Sequence, residues 1–250
     1  MNDILNRLVE LETSVTYTQP PPIGEWSFRH TPGRLPILIS APHGAAHLRD
    51  GHIKQEDEYT AALARLVAER TGAHALYSWA QSDDDPNWDR QSPYKDFLQS
   101  IVTEHDIQFV LDIHGMSNRH KFGVAVGTIC GASCPQQHEA LIIGALIAEG
   151  FQPTTAAQAR EFPILQWERF VINHHRFTGG LRSHTVTRYI RDYVGIHGAQ
   201  IELCADLRIV QRHGSSNRPG DFKGNSGGIM RALAAIENMV RDLSNPSLRG

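Results

Sequence analysis

Pro36-Ile37-Leu38-Ile39-Ser40-Ala41-Pro42-His43-Gly44 is the stretch on which the reading of this chain turns. Its apolar run has no polar alternation, the pattern of a strand buried on both faces in the middle of an α/β sheet. Pro42 ends the run and leaves His43 at the carboxyl end of the strand, where open α/β sheets bind their ligands. Gly44 permits close backbone approach, so the imidazole is expected to be displayed to a ligand more than packed. A histidine that merely caps a strand is the plain alternative.

Upstream of this strand, Ile4, Leu5, Leu8, Val9 and Leu11 fall at helical spacing, and the three prolines at 20–22 force an extended connector. Glu25 to Arg29 and Leu35 to Ser40 flank a Thr31-Pro32-Gly33-Arg34 turn, which predicts a hairpin leading into the central strand. Residues 1–34 are thus a helix and hairpin lead-in, and residues 35–245 an α/β core, within one domain spanning 1–250. Downstream, a polar loop runs to Gln55. Tyr59, Ala62, Leu63, Leu66 and Val67 then repeat at three and four up to Gly72, a helix with Glu56, Asp57 and Glu58 at its start. Ala73 to Trp79 reads as a strand, Ser82 to Pro93 as an aspartate-crowded loop, and Phe97, Leu98, Ile101 and Val102 as a helix.

Phe109-Val110-Leu111-Asp112-Ile113-His114-Gly115 repeats the first pattern, a buried strand ending in histidine and glycine. Phe122 to Gly127 is expected beside it, followed by a helix around Leu141 to Leu146. Gly198 to Leu203 is the last clear strand, and Ile229 to Leu243 form a closing amphipathic helix. Strands alternating with helices predict a three-layer α/β/α fold with a mixed, mainly parallel central sheet.

Composition narrows the function. A chain of 250 residues with formal net charge −3 and pI near 6.5 offers no polycation for nucleic acid and no basic face for a membrane surface. A small substrate is expected. Cys130, Cys134 and Cys204 lack metal-type spacing and a disulfide framework, which fits a reducing cytoplasm. No apolar segment has signal-peptide or membrane-spanning character.

His43, the acidic trio and His114 all stand at strand ends or an adjacent helix start. Two neutral imidazoles and one carboxylate are the ligand set of a catalytic zinc, with a fourth position for water. Carboxylates at a helix start also oppose its dipole, so one of the three can serve both ends. Asp112 shares a strand face with His114 and is placed to hold that histidine's other nitrogen. Glu202 lies inside an apolar strand, where a carboxylate must be paired, protonated or functional. Beside a zinc-bound water it would act as general base; on an edge strand it would simply face solvent. His43 and His47 have the four-residue spacing of a zincin helix, but Gly44 follows His43 where that motif needs glutamate, and Pro42-His43-Gly44 is poor helix. Gly131-Ala132-Ser133-Cys134-Pro135 lacks the last glycine of a serine-hydrolase elbow.

Six pieces carry a family resemblance: Ser40 to Gly44; Glu56-Asp57 with Tyr59 and Leu63; Asp112 to His114; Gly127 to Cys134; Arg176 to Gly180; and Gly195 to Leu203. In this order they resemble the N-formylglutamate amidohydrolase family, itself similar to the zinc carboxypeptidases, over about residues 35 to 210. The resemblance implies zinc held by His43, an acidic residue and His114, with Glu202 as base. Asp57 matches the acidic ligand by its distance to Leu63, with Glu56 and Glu58 as alternatives. The family's Asn-Arg pair is interrupted, because Trp88 follows Asn87 and the nearest arginine is Arg90. Arg176 is a second candidate for gripping a substrate carboxylate. The implied reaction is hydrolysis of the amide bond of a small acidic N-acyl amino acid such as N-formylglutamate. The alternatives are another small amide or glutamyl substrate, or a binding protein of the same fold without turnover.

Overall fold

The computed structural model describes residues 2–212 and 220–245. Helix α1 (Asn2–Glu12) is followed by strands β1 (Phe28–Thr31) and β2 (Ile37–Ala41), a short antiparallel pair β3 (His47–Arg49) and β4 (His52–Lys54), and helix α2 (Thr60–Thr71). Next come β5 (His74–Ser78), α3 (Pro93–Glu104), β6 (Phe109–Met116), β7 (Phe122–Gly127) and α4 (Gln136–Ala148). Strand β8 (Gln152–Pro153), α5 (Ala156–Glu161), β9 (Gln166–Ile172) and α6 (Val186–Tyr189), continued by a π-helical turn at Ile190–Val194, precede β10 (His197–Cys204) and α7 (Ser226–Leu243).

Eight strands form one sheet in the order β1-β5-β2-β6-β10-β7-β9-β8. Pairings are parallel except at β1 with β5 and at β10 with β7, so the sheet is mixed and mainly parallel, as expected. Two expectations fail on topology. Residues 28–31 make no hairpin with β2; β1 pairs with β5, because the Thr-Pro-Gly-Arg segment carries the chain from the edge past the start of β5 into β2, with Arg34 and Leu35 N–H donating to the Gly72 carbonyl. Strand β7 is not the neighbour of β6, since β10 inserts between them. The loop after His43 also carries the β3–β4 pair, where no element was expected.

The period-two pleat divides the central strands by face. Ile37, Ile39, Ala41, Leu111, Ile113 and Ile201 pack into the larger core with Leu63, Leu66, Ile229 and Leu233 of α2 and α7. On the other face, Leu38, Leu76 and Val110 pack with Leu98 and Ile101 of α3 and with Val186 and Ile190. This second face is apolar only at the strand starts. Towards the carboxyl ends it presents Ser40, Asp112, His114, Gln200 and Glu202, all buried. Register places Ser40 beside Asp112, Asp112 beside Gln200, and His114 beside Glu202. Polar groups thus gather at one end of one face, where the helices no longer cover the sheet. No helix among the described residues is long and apolar enough to cross a membrane.

Candidate active site

The cleft at the carboxyl ends of β2, β6 and β10 has a volume of about 1110 Å³ and is lined by His43, Asp57, His114 and Glu202, among others. His43 Nδ1 lies 3.6 Å, and His114 Nδ1 3.3 Å, from the same oxygen, Oδ2 of Asp57. The ligand atoms of these three buried residues all lie within 4.8 Å of one another. A tetrahedral zinc with donors at ~2.0–2.2 Å holds neighbouring donors ~3.3–3.6 Å apart, which the two histidine–aspartate separations match.

Each imidazole has an acidic partner on its far nitrogen. His43 Nε2 is 2.8 Å from Asp85 Oδ1, and His114 Nε2 is 3.2 Å from Asp112 Oδ2. That arrangement holds each ring in one orientation, and at His43 it fixes the tautomer. Burial disfavours the charged form of both histidines, but the carboxylates prevail. Asp85 and Asp57 raise the pKa of His43, and Asp112 and Asp57 hold that of His114 well above the usual imidazole range. Burial likewise opposes ionisation of Asp57, yet His114 and His43 keep its carboxyl well below the usual range.

The local chain explains why Asp57 is the acid that arrives. Asp57 N–H donates to His43 O at 2.7 Å, and the Asp57 carbonyl accepts from Thr60 N and Oγ1. Tyr59 then adopts a left-handed conformation (φ 67°), with its N–H donating to Glu12 Oε1, before α2 begins. Glu58 points away and pairs with Arg212 at 3.0 Å, while Glu56 is buried outside the cleft lining.

Asp112, fully buried, accepts from Ser40 Oγ at 3.0 Å and Thr187 Oγ1 at 3.3 Å. Glu202 sits on β10 between β6 and β7, in the middle of the sheet, which removes the edge-strand reading. Its Oε1 accepts from Gln200 Nε2 at 2.7 Å, and burial pushes its pKa up to about 7.

The substrate-side candidates separate. Arg90 is outside the cleft: its Nε donates to Tyr193 Oη at 3.0 Å beside α3 and the π turn. The loop after Asn87 turns Arg90 away from the cleft, to a separate depression with Asp96, Gln99 and Tyr189. Asn87 lines the cleft, but its amide is engaged, Nδ2 lying 2.8 Å from His114 Nε2 and Oδ1 accepting Val186 N–H at 2.8 Å. Arg176 lines the cleft with Lys54, Arg160 and Arg182, and its guanidinium makes no ion pair among the described residues. Gly44 serves a different contact from the one expected. A Cβ there would lie 2.3 Å from the Ser78 carbonyl, so the close approach is to β5 and not to a ligand. Gly115 lets the buried Arg208 guanidinium pass, since a Cβ would lie 2.6 Å from its Nε.

Asp85 is the main residue the sequence left without a role. Fully buried, it gathers His43, His47 (3.2 Å to Nε2) and Arg49 (2.5 Å to Nε), and accepts Asn87 N–H at 2.8 Å. Burial opposes its charge, but His43 and His47 hold its pKa far down.

No protein-family model matches the chain, and no curated protein is a matching sequence relative. Solved structures do match. One is the N-formylglutamate amidohydrolase of Ralstonia eutropha JMP134, at 13% identity and a TM-score of 0.53, covering 87% of this chain and 97% of that one. The chain has the N-formylglutamate amidohydrolase fold. A bacteriophage poly-gamma-glutamate hydrolase matches at 15% identity and a TM-score of 0.48, over 89% of this chain and 92% of that one. A metallo-carboxypeptidase of Pseudomonas aeruginosa matches at 17% identity and 0.44, over 96% and 67%. At these identities the amidohydrolase fold is what the similarity shows; the chemistry rests on the cleft itself.

Proposed function

We propose that this chain is a zinc-dependent hydrolase of the amide bond in a small acidic N-acyl amino acid, with N-formyl-L-glutamate as leading candidate. The observation that carries the reading is the convergence of His43, Asp57 and His114 in a basic cleft that also contains the buried Glu202. The fold shared with an N-formylglutamate amidohydrolase supports the same class of reaction.

His43 and His114 would hold the ion through Nδ1, and Asp57 through a carboxylate oxygen. Bound there, zinc would polarise the acyl carbonyl and lower the pKa of a water molecule towards ~7. A proton at His43 Nε2 would be accepted by Asp85, while Asp112 and the Asn87 amide hold the His114 ring by Nε2, so that both Nδ1 atoms face the cleft. Glu202 would take the proton of the attacking water and return it to the departing nitrogen. A carboxyl poised near 7 is suited to both transfers. With Oε1 occupied by Gln200, Oε2 is the oxygen that exchanges the proton. Arg176 would pair the substrate carboxylate, in place of Arg90, which lies outside the cleft.

The test is a panel of N-formyl, N-acetyl and formimino amino acids, with release of free amine as readout, on wild type and Glu202→Gln at equal zinc content. Release that requires Glu202 supports the reading. With zinc bound and no amine released from any acyl amino acid, the chain acts on a different amide or binds its ligand without turnover.

A further inference from the structure

At the other end of the strands, away from the cleft, three histidines meet. His30 is on the edge strand β1, His74 opens β5, and His105 caps the end of α3. His74 pairs in register with Leu38, near the start of β2, whereas the cleft lies beyond the end of β2. His30 Nε2 and His74 Nδ1 are 3.3 Å apart, and the ring centroids are separated by 5.5 Å (His30–His74), 5.6 Å (His30–His105) and 4.6 Å (His74–His105). One nitrogen from each residue falls within 4.8 Å of the others. A single N–H···N bond joins one nitrogen of each of the first two rings, and among the described residues no hydrogen bond joins the His105 ring to either.

We propose that His30, His74 and His105 form a second metal site, taking a borderline divalent cation such as zinc, nickel or copper(II). Two imidazole nitrogens on one tetrahedral zinc stand ~3.3–3.4 Å apart, which matches the His30–His74 separation. The donors are imidazoles alone. The nearest carboxylate, Glu104 Oε1, is exposed and 4.0 Å from His105 Nε2. A hard cation such as magnesium or calcium needs oxygen donors, so the set selects against it. His30 and His105 are half-buried and His74 is buried, which leaves the cluster reachable from solvent on one side. The three residues come from three elements, and an ion there ties the edge strand and the end of α3 to the sheet. Its effect is on the stability of that edge, and it stands independently of what the cleft binds.

The experiment uses untagged full-length protein, stripped with chelator and dialysed against zinc. His43→Ala/His114→Ala empties the cleft, and His30→Gln/His105→Gln empties the edge. The cleft variant is expected to retain about one zinc and to gain a few degrees in Tm on adding it, through binding to the folded state. Combining both pairs of substitutions abolishes the retained ion and the shift. No zinc in the cleft variant, or equal zinc in the combined variant, overturns the site. If the cleft variant does not fold, His30→Gln/His105→Gln alone decides: its zinc content must fall by one relative to wild type, and unchanged content overturns the proposal. Because each count compares proteins that differ only at the edge histidines, loss of the proposed hydrolase reading leaves this result intact.

Discussion

Glu12 and Glu202 are both buried, and burial pushes both to a pKa of about 7. They differ in what surrounds them. Glu12 ends α1 and faces the start of α2, its Oε1 accepting from Tyr17 Oη and Tyr59 N–H. Glu202 lines a cleft of about 1110 Å³ together with two histidines and an aspartate whose donors converge. A displaced pKa therefore reports burial, and the convergence of groups that can bind and exchange protons is what separates a candidate base from a core acid.

Replacing Glu202 with Gln tests that distinction most severely. Turnover is expected to fall on the order of 10²–10⁴-fold while zinc content stays as in wild type, because in the proposed reaction the residue would move protons without holding the ion. Elemental analysis alongside single-substrate kinetics reads both quantities. Unchanged turnover would place Glu202 in the same class as Glu12.

Asp85 sharpens the comparison from the ligand side. Asp85→Asn is expected to weaken zinc binding roughly 10–100-fold, since His43 loses the carboxylate that orients Nε2. Competition against a fluorescent chelator measures it. Affinity equal to wild type would reduce Asp85 to a loop fastener for Arg49 and His47. A smaller change is expected at the rim. Arg176→Ala should raise KM about tenfold for an acyl amino acid with an acidic side chain or free carboxylate, with kcat little changed, as for uniform binding lost. The same substitution at Arg90, outside the cleft, should leave KM as it is.

How far these features were legible depends on how local their cause is. Strands β2, β6 and β10 announce themselves because a strand covered on both faces must be apolar throughout. Polar residues at their ends, His43, His114 and Glu202, then stand out against that background. Asp57 was separable from Glu56 and Glu58 only through the family resemblance, and the structure gives the cause in the His43–Asp57 backbone bond. Asp85 was not separable from Asp83, Asp84 and Asp89, since an aperiodic loop gives no clue to which carboxylate turns inwards. The β1 pairing and the His30–His74–His105 cluster depend on contacts between elements far apart in sequence, with no short-range pattern to betray them.

The least effect on turnover is expected at Glu12, and there the comparison becomes one of stability. The folded chain keeps Glu12 protonated up to a pKa of about 7, above its ordinary value of 4.5. Between those two values the unfolded chain releases the proton first, so wild-type stability falls as pH rises through the window and levels off above it. The fall is on the order of 3 kcal/mol, taking ~1.4 kcal/mol per pH unit of displacement. Glu12→Gln removes the ionisation and keeps Oε1 as acceptor for Tyr17 and for Tyr59 N–H, so the left-handed turn at Tyr59 that delivers Asp57 to the cleft should persist. Denaturant unfolding from pH 4.5 to 8 should therefore show the variant matching or trailing wild type at the acid end and exceeding it at pH 8, with hydrolysis unaltered. A difference between the two proteins that stays constant with pH would mean that Glu12 does not exchange its proton on unfolding in this range, whereas a loss of turnover would tie it to the cleft through Tyr59.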